Sequence, residues 1–134
     1  MSSKRPLSKS NQEASNQTIL LVEDDEDISV FMTQVLTNET PYEALRVPDA
    51  TSALEAVDSI KPSLFILDYR LPGLNGLELS DRLHSIEGLE RVPTMMISAN
   101  YLPRNELQQR HITYLKKPFD LSHLLAEVEK LLAA

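Results

Sequence analysis

Thr18–Asp27 reads TILLVEDDED: five apolar or β-branched residues run straight into five consecutive acids. A continuous apolar run of that length, ended by polar residues, is the pattern of a strand buried on both faces. The charge that follows is costly. Two carboxylates about 4 Å apart repel by roughly 4 kcal/mol at an effective dielectric near 20. Such a cluster either complements the start of a helix or awaits something positive.

Working outward, four more strand patterns follow: YEALRV (42–47), between Pro41 and Pro48, SLFIL (63–67), PTMMIS (93–98) and ITYLK (112–116). Helical patterns separate them. Ile28, Phe31, Met32, Val35 and Leu36 recur at helical spacing over 27–37. Asp49 can cap a helix carrying Ala53, Leu54, Val57 and Ile60. The turn-rich LPGLNG (71–76) leads into a third helix with Leu77, Leu79, Leu83 and Ile86. The final helix, 120–133, places Leu121, Leu124, Leu125, Val128, Leu131 and Leu132 on one stripe. Alternating strands and helices predict an α/β fold, a doubly wound five-stranded parallel sheet with helices on both faces.

In such sheets the ligand site lies beyond the carboxyl ends of the strands. Strand one ends at Asp24 and Asp25, strand three at Asp68, strand four at Ser98, and strand five at Lys116 and Lys117. Parallel strands bring these ends to one rim. Three carboxylates, a hydroxyl and an ammonium around one point suit a hard divalent cation and a phosphoryl group. Each piece has a plainer reading alone. Glu23, Glu26 and Asp27 can simply complement a helix N-terminus. Asp68 can be a loop cap, LPGLNG only a turn in which Gly73 and Gly76 supply permissive dihedrals, and Tyr114 a packing residue.

Composition narrows the class. The chain has 134 residues, 42% hydrophobic and 25% charged, as befits one globular domain. It has no cysteine, which excludes disulfides and thiolate chemistry. His84, His111 and His123 lack metal-ligand spacing. Residues 1–17 are polar and Ser-rich, and are expected to form a disordered tail ahead of a domain at 18–134. That tail holds Lys4, Arg5 and Lys9 against Glu13, a net +2 out of −7, leaving −9 on the domain. So acidic a domain is expected to avoid nucleic acid. No apolar run is long enough to insert in a membrane, and a cytoplasmic location is expected.

ILLVEDDED, LFILDYRLPGLNG, MMISAN and YLKKPF, in this order over residues 18–133, resemble the receiver domain of two-component response regulators. The resemblance implies a flavodoxin-like sheet of order 2-1-3-4-5. It makes Asp68 the acceptor of a phosphoryl group from a histidine kinase or histidine phosphotransfer protein. It makes Asp25 a direct Mg²⁺ ligand, Asp24 its partner through water, and the Arg70 carbonyl a further ligand, with Mn²⁺ able to substitute. Ser98 and Tyr114 become switch residues, Lys117 the phosphate-binding lysine preceding a cis proline, and Arg70 and Asn100 the positions that tune dephosphorylation. The implied protein is a phosphoacceptor rather than an enzyme in the usual sense. With the sequence stopping at Ala134, it is expected to be stand-alone, signalling by protein contact, a homodimer being one form of it.

One departure stands out. Ser98–Lys117 is about one helical turn shorter than the family pattern, Pro103 interrupts its start, and RHI replaces a Gly-Ala pair before strand five. A short, poorly anchored fourth helix is expected. Two other functions compete. A receiver-like interaction module that no longer switches fits the shortened helix. A phosphatase of the haloacid-dehalogenase kind fits an aspartate after a strand, but Arg70 stands where its second aspartate would be needed.

Overall fold

A computed structural model describes residues 17–133. The strands are β1 (Thr18–Val22), β2 (Glu43–Val47), β3 (Leu64–Asp68), β4 (Thr94–Ser98) and β5 (Ile112–Lys116). All pair in parallel, in the order β2-β1-β3-β4-β5. The helices are α1 (Glu26–Glu39), α2 (Ala50–Ala56), α3 (Gly76–His84), α4 (Arg104–Gln109) and α5 (Leu121–Ala133). This is the flavodoxin-like sheet that the sequence predicts. Residues 1–16 of the expected tail lie outside the described residues; Gln17 already accepts the Glu43 N–H at 3.0 Å.

The strands read as unbroken apolar runs because both sheet faces are covered. Alternate side chains enter separate cores. Ile19, Leu21, Ile66 and Ile97 pack with Met32 and Leu36 of α1 and Leu124 and Val128 of α5. Leu20, Val22, Phe65 and Met96 pack with Ala53 of α2, Leu79 and Leu83 of α3 and Leu107 of α4. Helices two and three are shorter than their apolar spacing suggests: Val57 is the C-cap of α2, and Ile60 and Ile86 lie beyond the helices. Phe31, taken with the core stripe of α1, is 53% exposed.

The fourth helix has only six residues and no side-chain N-cap, as its interrupted start suggests. It is not poorly anchored, however. Leu102 and Leu107 are buried on either side of its start. Arg110, just past its end, reaches back to Asp81 of α3 with two hydrogen bonds of 2.8 and 3.0 Å and also holds the Glu106 carbonyl. A planar guanidinium fork on a carboxylate fixes both distance and angle. The side chain thus anchors the end of α4 to α3.

Candidate functional site

The site forms where β1, β3, β4 and β5 end. Asp68 closes β3 and is buried. Its Oδ1 accepts the Arg70 N–H at 3.1 Å, and its Oδ2 lies 3.1 Å from Lys117 Nζ. Lys117 follows β5, held by its own N–H on the Ser98 carbonyl at 2.9 Å, and its bond to Pro118 is cis. The turn between β3 and α3 is tight. Gly76 N–H bonds to the Tyr69 carbonyl at 2.8 Å, and Asn75 with Glu78 forms a reciprocal cap at the start of α3.

The acidic run divides its labour differently from the sequence expectation. Asp25 is the N-cap of α1: its Oδ1 accepts the Ile28 N–H at 3.0 Å. That carboxylate is committed to an orphan helix donor. Glu23, whose plainer reading was a complement to the helix start, is fully buried, with Oε1 3.3 Å from Lys117 Nζ and Oε2 accepting the Asp25 N–H at 3.0 Å. One carboxylate oxygen each from Glu23, Asp24 and Asp68 lies within 4.8 Å of the others. The structure therefore groups Glu23, not Asp25, with Asp24 and Asp68. The sequence carried a signal for this: Glu23 directly follows the last apolar residue of β1, and Asp25 stands immediately before a helical pattern.

Electrostatics follow from this burial. Loss of water around Glu23 pushes its carboxyl up to about 7, the Asp68 carboxylate adding to the shift while the Asp25 N–H and Lys117 oppose it. For Lys117, burial favours the neutral amine, but the Asp68 and Glu23 carboxylates outweigh it and the net shift is upward. One ammonium faces two buried carboxylates and the exposed Asp24. That imbalance, with an all-oxygen donor set, suits a hard divalent cation.

Hydrogen bonds link Ser98, Asn100, Tyr114 and Arg70 to one another, and the Arg70 N–H joins this group to Asp68. Ser98 is buried and its Oγ accepts the Asn100 N–H at 3.0 Å. Tyr114 O–H donates to the Asn100 carbonyl at 2.8 Å. With the Asn100 amide oxygen turned toward Arg70, it accepts from Nε and Nη2 at 2.7 and 2.9 Å. A further residue had no signal in the sequence: Arg46 of β2 donates from Nε to the Glu23 carbonyl at 3.1 Å.

The family model for the response regulator receiver domain matches residues 19–129. The chain belongs to this family. Its receiver domain is 34% identical over 115 residues to the DNA-binding response regulator MtrA of Mycobacterium leprae (strain TN), covering 84% of the chain and 49% of MtrA. The chain thus spans about half the length of that relative. It is 28% identical over 121 residues to sporulation initiation phosphotransferase F of Bacillus subtilis (strain 168), covering 87% of the chain and 94% of the relative. Among solved structures, the receiver domain of a Pseudomonas aeruginosa PAO1 sensor histidine kinase, with magnesium coordinated in its active site cleft, superposes with a TM-score of 0.78. That match has 27% identity and covers 89% of this receiver and 99% of the other. Among the described residues no helix is long and apolar enough to cross a membrane.

Proposed function

We propose that this receiver domain accepts a phosphoryl group on Asp68 from the phosphohistidine of a kinase or phosphotransfer protein, and signals through protein contact. The observation that carries this is the convergence of Lys117, Glu23 and Asp24 on the Asp68 carboxylate. Asp68 oxygen attacks phosphorus in line, an O–P bond forms as the P–N bond breaks, and the donor leaves as an imidazole. Lys117 holds a phosphate oxygen and offsets its charge. Ser98 Oγ, now accepting from Asn100, turns to donate to the phosphoryl group, which frees the Asn100 segment and the Tyr114 hydroxyl tied to it.

Glu23, Asp24 and Asp68 are the residues that would hold Mg²⁺ or Mn²⁺, joined by the Arg70 carbonyl; Asp25 is left to cap α1. The cation would neutralise charge on the transferring group. Arg70 and Asn100, which hydrogen-bond to each other once the Asn100 amide is turned, would limit the attack of water on the acyl phosphate. An apolar hollow beside the site, lined by Ile28, Phe31, Pro118 and Phe119, offers the donor protein a surface.

Acetyl phosphate with Mg²⁺, followed by intact-mass measurement, tests this reading. Wild type gains one phosphoryl group; Asp68→Ala does not. A wild-type protein that stays unmodified with every small donor and with a phosphohistidine protein supports the non-switching module instead. Catalytic turnover of phosphate esters would revive the phosphatase.

A further inference from the structure

The turn between β1 and α1 presents the carboxylates, and nearly all its polar groups are engaged. Glu23 N–H donates to the Val47 carbonyl at 3.1 Å, tying the turn to the end of β2. Asp25 N–H closes onto Glu23 Oε2. The Asp25 carbonyl takes the Ser29 N–H at 3.0 Å as the first bond of α1. Two carbonyls remain, those of Glu23 and Asp24, and Arg46 takes both: Nε lies 3.1 Å from the first and Nη2 3.5 Å from the second.

Arg46 stands in the edge strand, in register with Leu21 of β1, so its side chain starts two residues before the turn it grips. A guanidinium presents several donors in one rigid plane. Donation to consecutive carbonyls fixes two adjacent peptide planes, and these planes decide where the Asp24 carboxylate points relative to Asp68. The Asp24 side chain itself is exposed and free to take a cation. Half-buried, the guanidinium also places positive charge against the outer side of the most acidic segment of the chain.

The geometry points to Arg46 as a positioning residue for the cation site: it holds the Glu23–Asp24 turn so that the carboxylates converge on Asp68. This rests on the receiver reading above. Partners that orient ligands from outside the coordination sphere typically change metal affinity by about 10- to 100-fold when removed. Charge alone works the other way, since removing a cation near a cation site should tighten binding. The two effects therefore carry opposite signs in Arg46→Met. Arg46→Lys keeps the charge and discards the planar fork.

The test is a Mg²⁺ titration of the full chain, followed at the backbone amides of Asp68 and Arg70 by ¹⁵N NMR. Wild type, Arg46→Lys and Arg46→Met are compared, with cation-free melting curves to establish that each variant folds. Weakening of about tenfold in both variants is expected. At saturating Mg²⁺ the rate of phosphorylation by acetyl phosphate should return close to wild type, a split that general loss of structure would not give. Unchanged affinity in Arg46→Lys, or tighter binding in Arg46→Met, overturns the positioning role. Should Arg46→Met not fold, Arg46→Lys alone decides. A wild-type protein without Mg²⁺ shifts or a phosphoryl adduct would instead overturn the receiver reading of the pocket, separately from Arg46.

Discussion

Lys117 Nζ lies between two buried carboxylates, 3.1 Å from Asp68 and 3.3 Å from Glu23, which reach it from β3 and from the end of β1. One ammonium therefore closes the sheet rim across three strands. Removing it leaves two carboxylates facing each other in a poorly solvated space. Lys117→Gln should lower cation-free stability by roughly 2–3 kcal/mol, less than a fully buried pair would lose because its side chain keeps 20% exposure. Urea unfolding in a chelating buffer measures this. Mg²⁺ should restore much of the loss while phosphorylation stays slow. A variant as stable as wild type without the cation would show that Lys117 contributes nothing to holding the rim.

Glu23 gives the site a pH dependence of definite sign. Burial lifts its carboxyl from 4.5 to about 7, so the folded state holds the proton more tightly than the unfolded chain. Its stabilising contribution is complete below the unfolded value and disappears as pH rises through about 7. Lys117 is also shifted upward, but loses its contribution only above the ordinary lysine range, outside this window. Cation-free wild type should therefore lose stability relative to Glu23→Gln between about pH 5 and about pH 8. Parallel pH profiles of the two proteins would contradict the burial argument.

The ends of β3, β4 and β5 were legible because an apolar stretch gives way there to polar residues, and parallel pairing takes these ends to one rim. Asp68, Ser98 and Lys117 could be placed by that logic. The acidic run could not be parsed the same way. Five acids in succession carry no periodicity, and a shift of one residue exchanges an inward carboxylate for a helix cap. Arg46 was invisible because its partners are backbone carbonyls, which have no sequence signature. The anchoring of α4 was hidden similarly: Asp81 and Arg110 belong to different elements, and only the fold brings them together.

Gly76 is the point where α3 meets the end of β3. A Cβ there would collide with the Met96 sulfur and come 2.8 Å from the Asp68 carbonyl and 3.0 Å from Tyr69 Cα. Those are the backbone atoms that carry the acceptor. The Met96 side chain can bend away; the backbone cannot without moving Asp68. Gly76→Ala should cost about 1–3 kcal/mol, the usual range for overpacking a core. It should also slow phosphorylation by acetyl phosphate at saturating Mg²⁺. Full stability with a wild-type rate would mean that the approach has slack.

His111 holds φ at 57°, in the left-handed region, directly after the turn that ends α4. Its N–H closes that turn onto the Gln108 carbonyl at 3.1 Å, so the conformation is needed to bring the chain into β5. A side chain with a Cβ is strained there by about 1–2 kcal/mol, whereas glycine is not. Glycine also makes the unfolded chain more flexible, which returns part of that gain. His111→Gly should therefore stabilise the domain by about 0.5–1 kcal/mol, read as a higher urea midpoint with an unchanged slope. His111→Ala keeps the Cβ and should give no such gain. Equal effects from the two substitutions would place the cause in the imidazole rather than in the backbone.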